Sequence, residues 1–190
     1  MKVILVDFYD SFTFNIAHYF ELLVDEVEVV RYDKIDFQDL HRSDAIVLSP
    51  GPGLPSEKEN LKEILSTFAG NKPILGICLG MQALVEFNGG KLYNLGVVRH
   101  GVTSLVNARE NSVLFDGVPT KFQVGLYHSW GVDVNDKTHV TAVSENNVEM
   151  AFEIPAAKIF GVQFHPESIL TSHGLKIMEN FVNFVKNSNL

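Results

Sequence analysis

A thiol, an imidazole and a carboxylate are the side chains of this sequence whose types could together serve as nucleophile, base and orienting acid. Cys78, the only cysteine, stands in Gly76-Ile77-Cys78-Leu79-Gly80-Met81-Gln82. Glycines two residues to either side fit a nucleophile elbow, a sharp turn that lifts the reactive atom above a sheet and leaves no room for flanking side chains. Far along the chain, His165-Pro166-Glu167-Ser168 supplies a base and an acid. Pro166 biases His165 toward extended backbone, where residues two apart point to one side. His165 and Glu167 are therefore expected to work as a pair, the carboxylate fixing the tautomer of the ring and favouring its cationic form. A nucleophile, a base and an orienting acid can be scattered in sequence and joined by the fold. The larger rate factor would come from an oxyanion hole, on the order of 100 to 1000-fold per donor. The Leu79 N–H is one donor of such a hole, and the region of Gly51 is the expected second.

These groups need a scaffold. Val3 to Val6 is a continuous apolar run of strand length, as in a parallel sheet buried on both faces. Asp10 or Ser11 is the expected N-cap of a helix with Ile16, Ala17, Phe20 and Leu23 inward. Val27 to Tyr32 and Ala45 to Ser49 read as the next strands, and the latter runs into Pro50-Gly51-Pro52-Gly53. A tight loop of this kind at the carboxyl end of a parallel strand is where open α/β sheets bind ligands. Glu57 to Phe68 reads as a helix, and Pro73-Ile74-Leu75 as a buried strand that enters the helix of Ala83 to Phe87 through Cys78. From Lys91 to Phe164 short strand-like runs follow without a helix: Val102 to Val106, Phe122 to Val124, Val140 to Val143 and Ile159 to Phe164. The expected fold class is thus α/β, an open, mostly parallel sheet flanked by helices with antiparallel strands added in the C-terminal half. A last helix, capped by Thr171 or Ser172, carries Leu175, Met178, Phe181, Val182 and Val185 as a core stripe.

With 190 residues, 46% of them hydrophobic, a single domain with a substantial core is expected over 1–190. The net charge of -8 and the lack of a Lys/Arg cluster argue against nucleic acid or an anionic membrane as partner. One cysteine cannot form an internal disulfide, and Met1 to Asp7 is too short for a signal peptide or membrane span, so a cytoplasmic protein is expected. His100, His128 and His165 do not have the spacing of zinc ligands, and no metal site is expected.

The elbow around Cys78, Ser49-Pro50-Gly51-Pro52-Gly53 and His165-Pro166-Glu167-Ser168 together resemble the class I, triad-type glutamine amidotransferases, a flavodoxin-like fold. Asp10-Ser11-Phe12-Thr13-Phe14-Asn15, Tyr127-His128-Ser129 and Gly161-Val162-Gln163-Phe164 extend the likeness to the glutaminase subunits of anthranilate synthase and aminodeoxychorismate synthase. The resemblance implies that Cys78 attacks the carboxamide of L-glutamine, that His165 and Glu167 complete the triad, and that Gly51, Pro52, Gly53, Leu79, Gln82, Ser129 and Trp130 line the glutamine pocket. It further implies a heteromer, in which ammonia passes to a separate chorismate-binding subunit that makes anthranilate or 4-amino-4-deoxychorismate. No cofactor is expected in this chain, and Mg2+ is expected in the partner. Met81 stands where most relatives carry His, and Trp130 where an aliphatic residue is common; Arg99-His100-Gly101 resembles the usual Met-His-Gly and puts His100 near the partner surface. The rival readings are a γ-glutamyl hydrolase or peptidase on the same scaffold and a non-catalytic regulatory module.

Overall fold

A computed structural model describes residues 1–135 and 139–188. In chain order β1 (Lys2–Asp7), α1 (Thr13–Glu21), β2 (Glu26–Arg31), α2 (Phe37–Arg42), β3 (Ala45–Leu48), α3 (Leu61–Phe68), β4 (Ile74–Ile77) and α4 (Leu79–Phe87) form an alternating half. Then come β5 (Lys91–Ala108), β6 (Lys121–Asp133), β7 (His139–Ser144), β8 (Glu149–Ile154), β9 (Ile159–Val162) and α5 (Gly174–Ser188). The described strands make one sheet in the order β2-β1-β3-β4-β9-β8-β7-β5-β6. From β2 to β9 the pairing is parallel, and from β9 to β6 it is antiparallel.

The apolar run of β1 is buried on both faces because successive side chains alternate. Val3 and Leu5 join the core under α1 and α5, whereas Ile4 and Val6 join the core under α3 and α4. Among the described residues no helix is long and apolar enough to cross a membrane.

Several boundaries differ from those expected of the sequence, each for a local reason. Neither Asp10 nor Ser11 caps α1: the N-cap is Phe12, and the Asp10 carboxylate accepts the Phe12 N–H within the preceding loop. The expected helix of Glu57 to Phe68 holds only from Leu61, since residues 55–57 form a separate 3-10 turn opened by Pro55. The short helix α2 is an addition to the expected elements, although Asp36 caps it through the Gln38 N–H. The runs at Val102 and Phe122 are parts of much longer strands, and β5 absorbs its glycines through irregular register near residues 94–102. Leu175 is exposed rather than part of the α5 stripe, and the Thr171 hydroxyl bonds to the His165 carbonyl instead of capping a helix.

β4 and α4 are packed closely on each other and on β3. A Cβ on Gly80 would run into the Leu48 carbonyl of β3, and one on Gly76 into the Gly80 backbone. Gly80→Ala is accordingly expected to destabilise the protein by about 1–3 kcal/mol, the usual range for an overpacked core. Urea denaturation checks this, and a midpoint equal to that of the parent would mean that α4 is free to move off β3.

Candidate active site

Cys78 sits between the last residue of β4 and the first of α4 with φ 52° and ψ -103°, a conformation disfavoured for any residue with a Cβ. Its N–H bonds to the Val162 carbonyl of the neighbouring β9 and its carbonyl accepts the Gln82 N–H, so the turn is fixed on both sides. As the first residue of a helix, Leu79 has a backbone N–H with no acceptor one turn back. Gly51 lies beside the Leu79 side chain, against Phe8, at the end of β3. The loop that holds it is tied at its start by Ser49, whose hydroxyl accepts the Phe8 N–H, and at its end by Glu57, which accepts the Leu54 N–H.

β9 pairs with β4 from Ile74↔Ile159 to Ile77↔Val162, so the chain beyond β9 emerges beside Cys78. His165 is held there by its backbone. Its N–H donates to the Gly125 carbonyl of β6, and its own carbonyl accepts the Thr171 hydroxyl. The His165 Nδ1 and Glu167 Oε1 are 2.7 Å apart, with both side chains buried. The pair forms in a turn, closed by the Ser168 N–H on the His165 carbonyl, and not in the extended chain that simple alternation would require. A carboxylate only accepts, so Nδ1 carries the proton of this bond. The rings of Phe12 and Tyr127 pack on the imidazole with centroids 5.4 and 4.8 Å away.

Burial alone would lower the His165 pKa; the Cys78 sulfur and the Glu167 carboxylate outweigh it and push the ring up to about 10. Nε2 has no partner in hydrogen-bond geometry among the described residues, so the sulfur lies beyond that geometry. It is nonetheless close enough to act electrostatically, and loose contacts of this kind tighten around a substrate.

A cleft of about 250 Å3 opens over the thiol, lined by Gly51, Pro52, Gly53, Cys78, Gln82, Tyr127, His128, Ser129 and Trp130. Six of the seven residues expected around a substrate are thus gathered. Leu79 is the exception, buried and absent from the lining. His165 and Glu167 lie beneath the cleft rather than on its surface. Tyr127 and His128 are additions; they flank Ser129 in a run of polar and aromatic residues that the sequence displays without assigning them to the wall. His128 Nδ1 donates to the Trp130 carbonyl at 2.8 Å. Among the described residues no group of three or more His, Cys, Asp or Glu side chains could hold a metal.

The thiol in its strained elbow and the carboxylate-held imidazole thus stand together at the ends of adjacent parallel strands. The class-I glutamine amidotransferase family model matches residues 4–184, and the chain belongs to that family. Within it, the chain is 43% identical to anthranilate synthase component 2 of Lactococcus lactis, over 96% of this chain and 94% of that one. It is 42% identical to a Haemophilus influenzae protein provisionally named anthranilate synthase component II, over 96% of both. Among solved structures, a Thermoplasma acidophilum protein provisionally described as one of the subunits of GMP synthase superposes with a TM-score of 0.90 at 25% identity, over 100% of this chain and 96% of that one.

His128 generates a prediction on pH. Burial, partly opposed by the bond to the Trp130 carbonyl and reinforced by Arg99 and His165, lowers its pKa from 6.5 to about 4. Between these values the unfolded chain takes up a proton that the folded chain refuses, so stability is full above about 6.5 and falls as pH drops through about 4. His128→Asn keeps a donor for Trp130 but cannot titrate. Between pH 7 and 4.5 the parent is expected to lose on the order of 2–3 kcal/mol more than this variant in urea titrations.

Proposed function

We propose that this chain is the glutaminase component of a chorismate-using synthase, with Cys78, His165 and Glu167 as its triad. The observation that carries the reading is the convergence of one thiol and one carboxylate-held imidazole under a cleft of about 250 Å3, the scale of an amino acid. The Cys78 sulfur attacks the side-chain carbonyl carbon of L-glutamine. His165 passes its proton to the amide nitrogen, the C–N bond breaks, and ammonia leaves a glutamyl thioester. The negative charge on the carbonyl oxygen is met by the Leu79 N–H and by the backbone near Gly51. His165, now neutral, takes a proton from water as its oxygen attacks the thioester, and glutamate departs with Cys78 restored. Glu167 stays ionised throughout and steadies the imidazolium.

Ammonia then passes to a separate chorismate-binding subunit. The names of the relatives favour anthranilate, and with it tryptophan biosynthesis; 4-amino-4-deoxychorismate for folate is the alternative product. The acceptor subunit, and any Mg2+ it uses, lie outside this chain, and the assembly is cytoplasmic. Its docking face includes Tyr9, Phe12, Tyr127 and Trp130, as aromatic residues are enriched in interfaces. Exposed Phe14, Val97, Val98 and Ile169 and the His100 ring packed on Tyr127 support this placement.

Cys78→Ala is expected to abolish product formation from glutamine while leaving synthesis from added ammonium salt intact once the partner subunit is supplied. Loss of both would refute the division of labour. Replacing Phe14 or Val98 by Ala is expected to weaken the complex by about fivefold or more, since truncating a buried interface anchor typically costs over 1 kcal/mol. Titration calorimetry against the partner subunit measures it, and unchanged affinity would move the interface elsewhere.

A further inference from the structure

Gln163 follows β9, two residues before His165, and is fully buried. Its Oε1 accepts from the Gln82 Nε2 at 3.2 Å, and the same Nε2 donates to the Trp130 carbonyl at 3.4 Å. A main-chain carbonyl only accepts, so Trp130 obliges Gln82 to turn its NH2 into the wall, and Gln163 must then turn its oxygen to Gln82. Both N–H bonds of the Gln82 amide are used in this way. The remaining polar atom, Oε1, is left to the cleft that Gln82 lines. The arrangement leaves the Gln163 Nε2 buried without a partner among the described residues. Reversing the Gln163 amide would set two donors face to face, so the orientation is imposed by the pair and not by Gln163 itself.

The place of that oxygen matters. Gln82 is one helical turn beyond Cys78, a rise of roughly 6 Å. In glutamine the α-carbon lies three single bonds from the carboxamide carbon, roughly 4 Å in extended form. With the carboxamide at Cys78, an acceptor on the next turn stands beside the α-substituents, where it attracts an ammonium and repels a carboxylate.

We propose that Gln163 is a positioning residue for substrate selection: its oxygen holds the second N–H of the amide that the Trp130 carbonyl has turned, and the two acceptors together keep the Gln82 oxygen toward the cleft, so that the site chooses amides whose α-carbon carries an ammonium group. The inference rests on the glutaminase reading. It is tested by the rates at which Cys78 is alkylated by a chloromethyl ketone built on the glutamine skeleton, by the same compound lacking the α-amino group, and by iodoacetamide. The parent is expected to prefer the first over the second. Gln163→Met is expected to reduce that preference about tenfold, the effect of losing one orienting hydrogen bond, while the iodoacetamide rate is kept. In a Gln82→Met background the same change is expected to do nothing more, because both act through one contact. Should Gln163→Met not fold, Gln163→Asn, whose shorter amide falls short of Gln82, serves in its place. A parent with no preference overturns the glutamine reading and this inference with it. A parental preference that survives in the Gln163 variants, or losses that add in the double variant, overturns the role of Gln163 alone.

Discussion

The backbone at Cys78 is the constraint on which the rest of the site depends. A left-handed φ at a residue with a Cβ costs on the order of 1–3 kcal/mol and persists only where its surroundings allow nothing else. Here Gly80 lets α4 press on the Leu48 carbonyl of β3, Gly76 lets the helix close over its own strand, and the Cys78 N–H is spent on β9. Relaxing the turn would lift α4 from a core that contains Leu48, Leu84 and Phe152. The sulfur is therefore aimed by the packing of two layers and not by any contact of its own.

Electrostatics then separates two histidines that share a neighbourhood. Burial lowers the pKa of both, yet one ends far above its ordinary value and the other far below. His165 has a buried carboxylate and a sulfur for company, which favour the cation. His128 has only a carbonyl, with Arg99 and His165 nearby, so it stays neutral. The second oxygen of Glu167 is buried with no hydrogen-bond partner among the described residues, so the imidazole is the one group that bonds to this carboxylate there. One ring is thereby held as a cation beside the sulfur and the other as a neutral group on the Trp130 carbonyl.

Much of this was legible from residue types. The apolar runs of β1, β3 and β4 need burial on both faces, and the glycines around Cys78 admit few other uses. The glycines and prolines of the loop after β3 mark a ligand-binding turn in the same way, whereas Ser129 and Trp130 enter the wall only through the family resemblance. The features that escaped depend on contacts remote in sequence. The His165–Glu167 pair was expected, but in extended chain; it forms instead in a turn closed by the Ser168 N–H and anchored to the Gly125 carbonyl of β6, a contact that no local rule gives. The length of β5 and β6 comes from mutual pairing over many residues, which overrides glycines that locally read as breaks. The Gln82–Gln163 contact joins residues 81 positions apart, and in sequence Gln163 is only a polar residue in an apolar strand.

The place of β9 in the sheet has a consequence for how the molecule comes into being. It is made near the end of the chain, yet it lies at the centre, between β4 and β8. During synthesis the thiol of Cys78 therefore leaves the ribosome well before His165 is made, and the gap beside β4 stays open until the last strands arrive. A chain interrupted between Cys78 and His165 has the thiol without the imidazole that the full-length sheet sets beside it, so the two are brought together only when the centre of the sheet is filled.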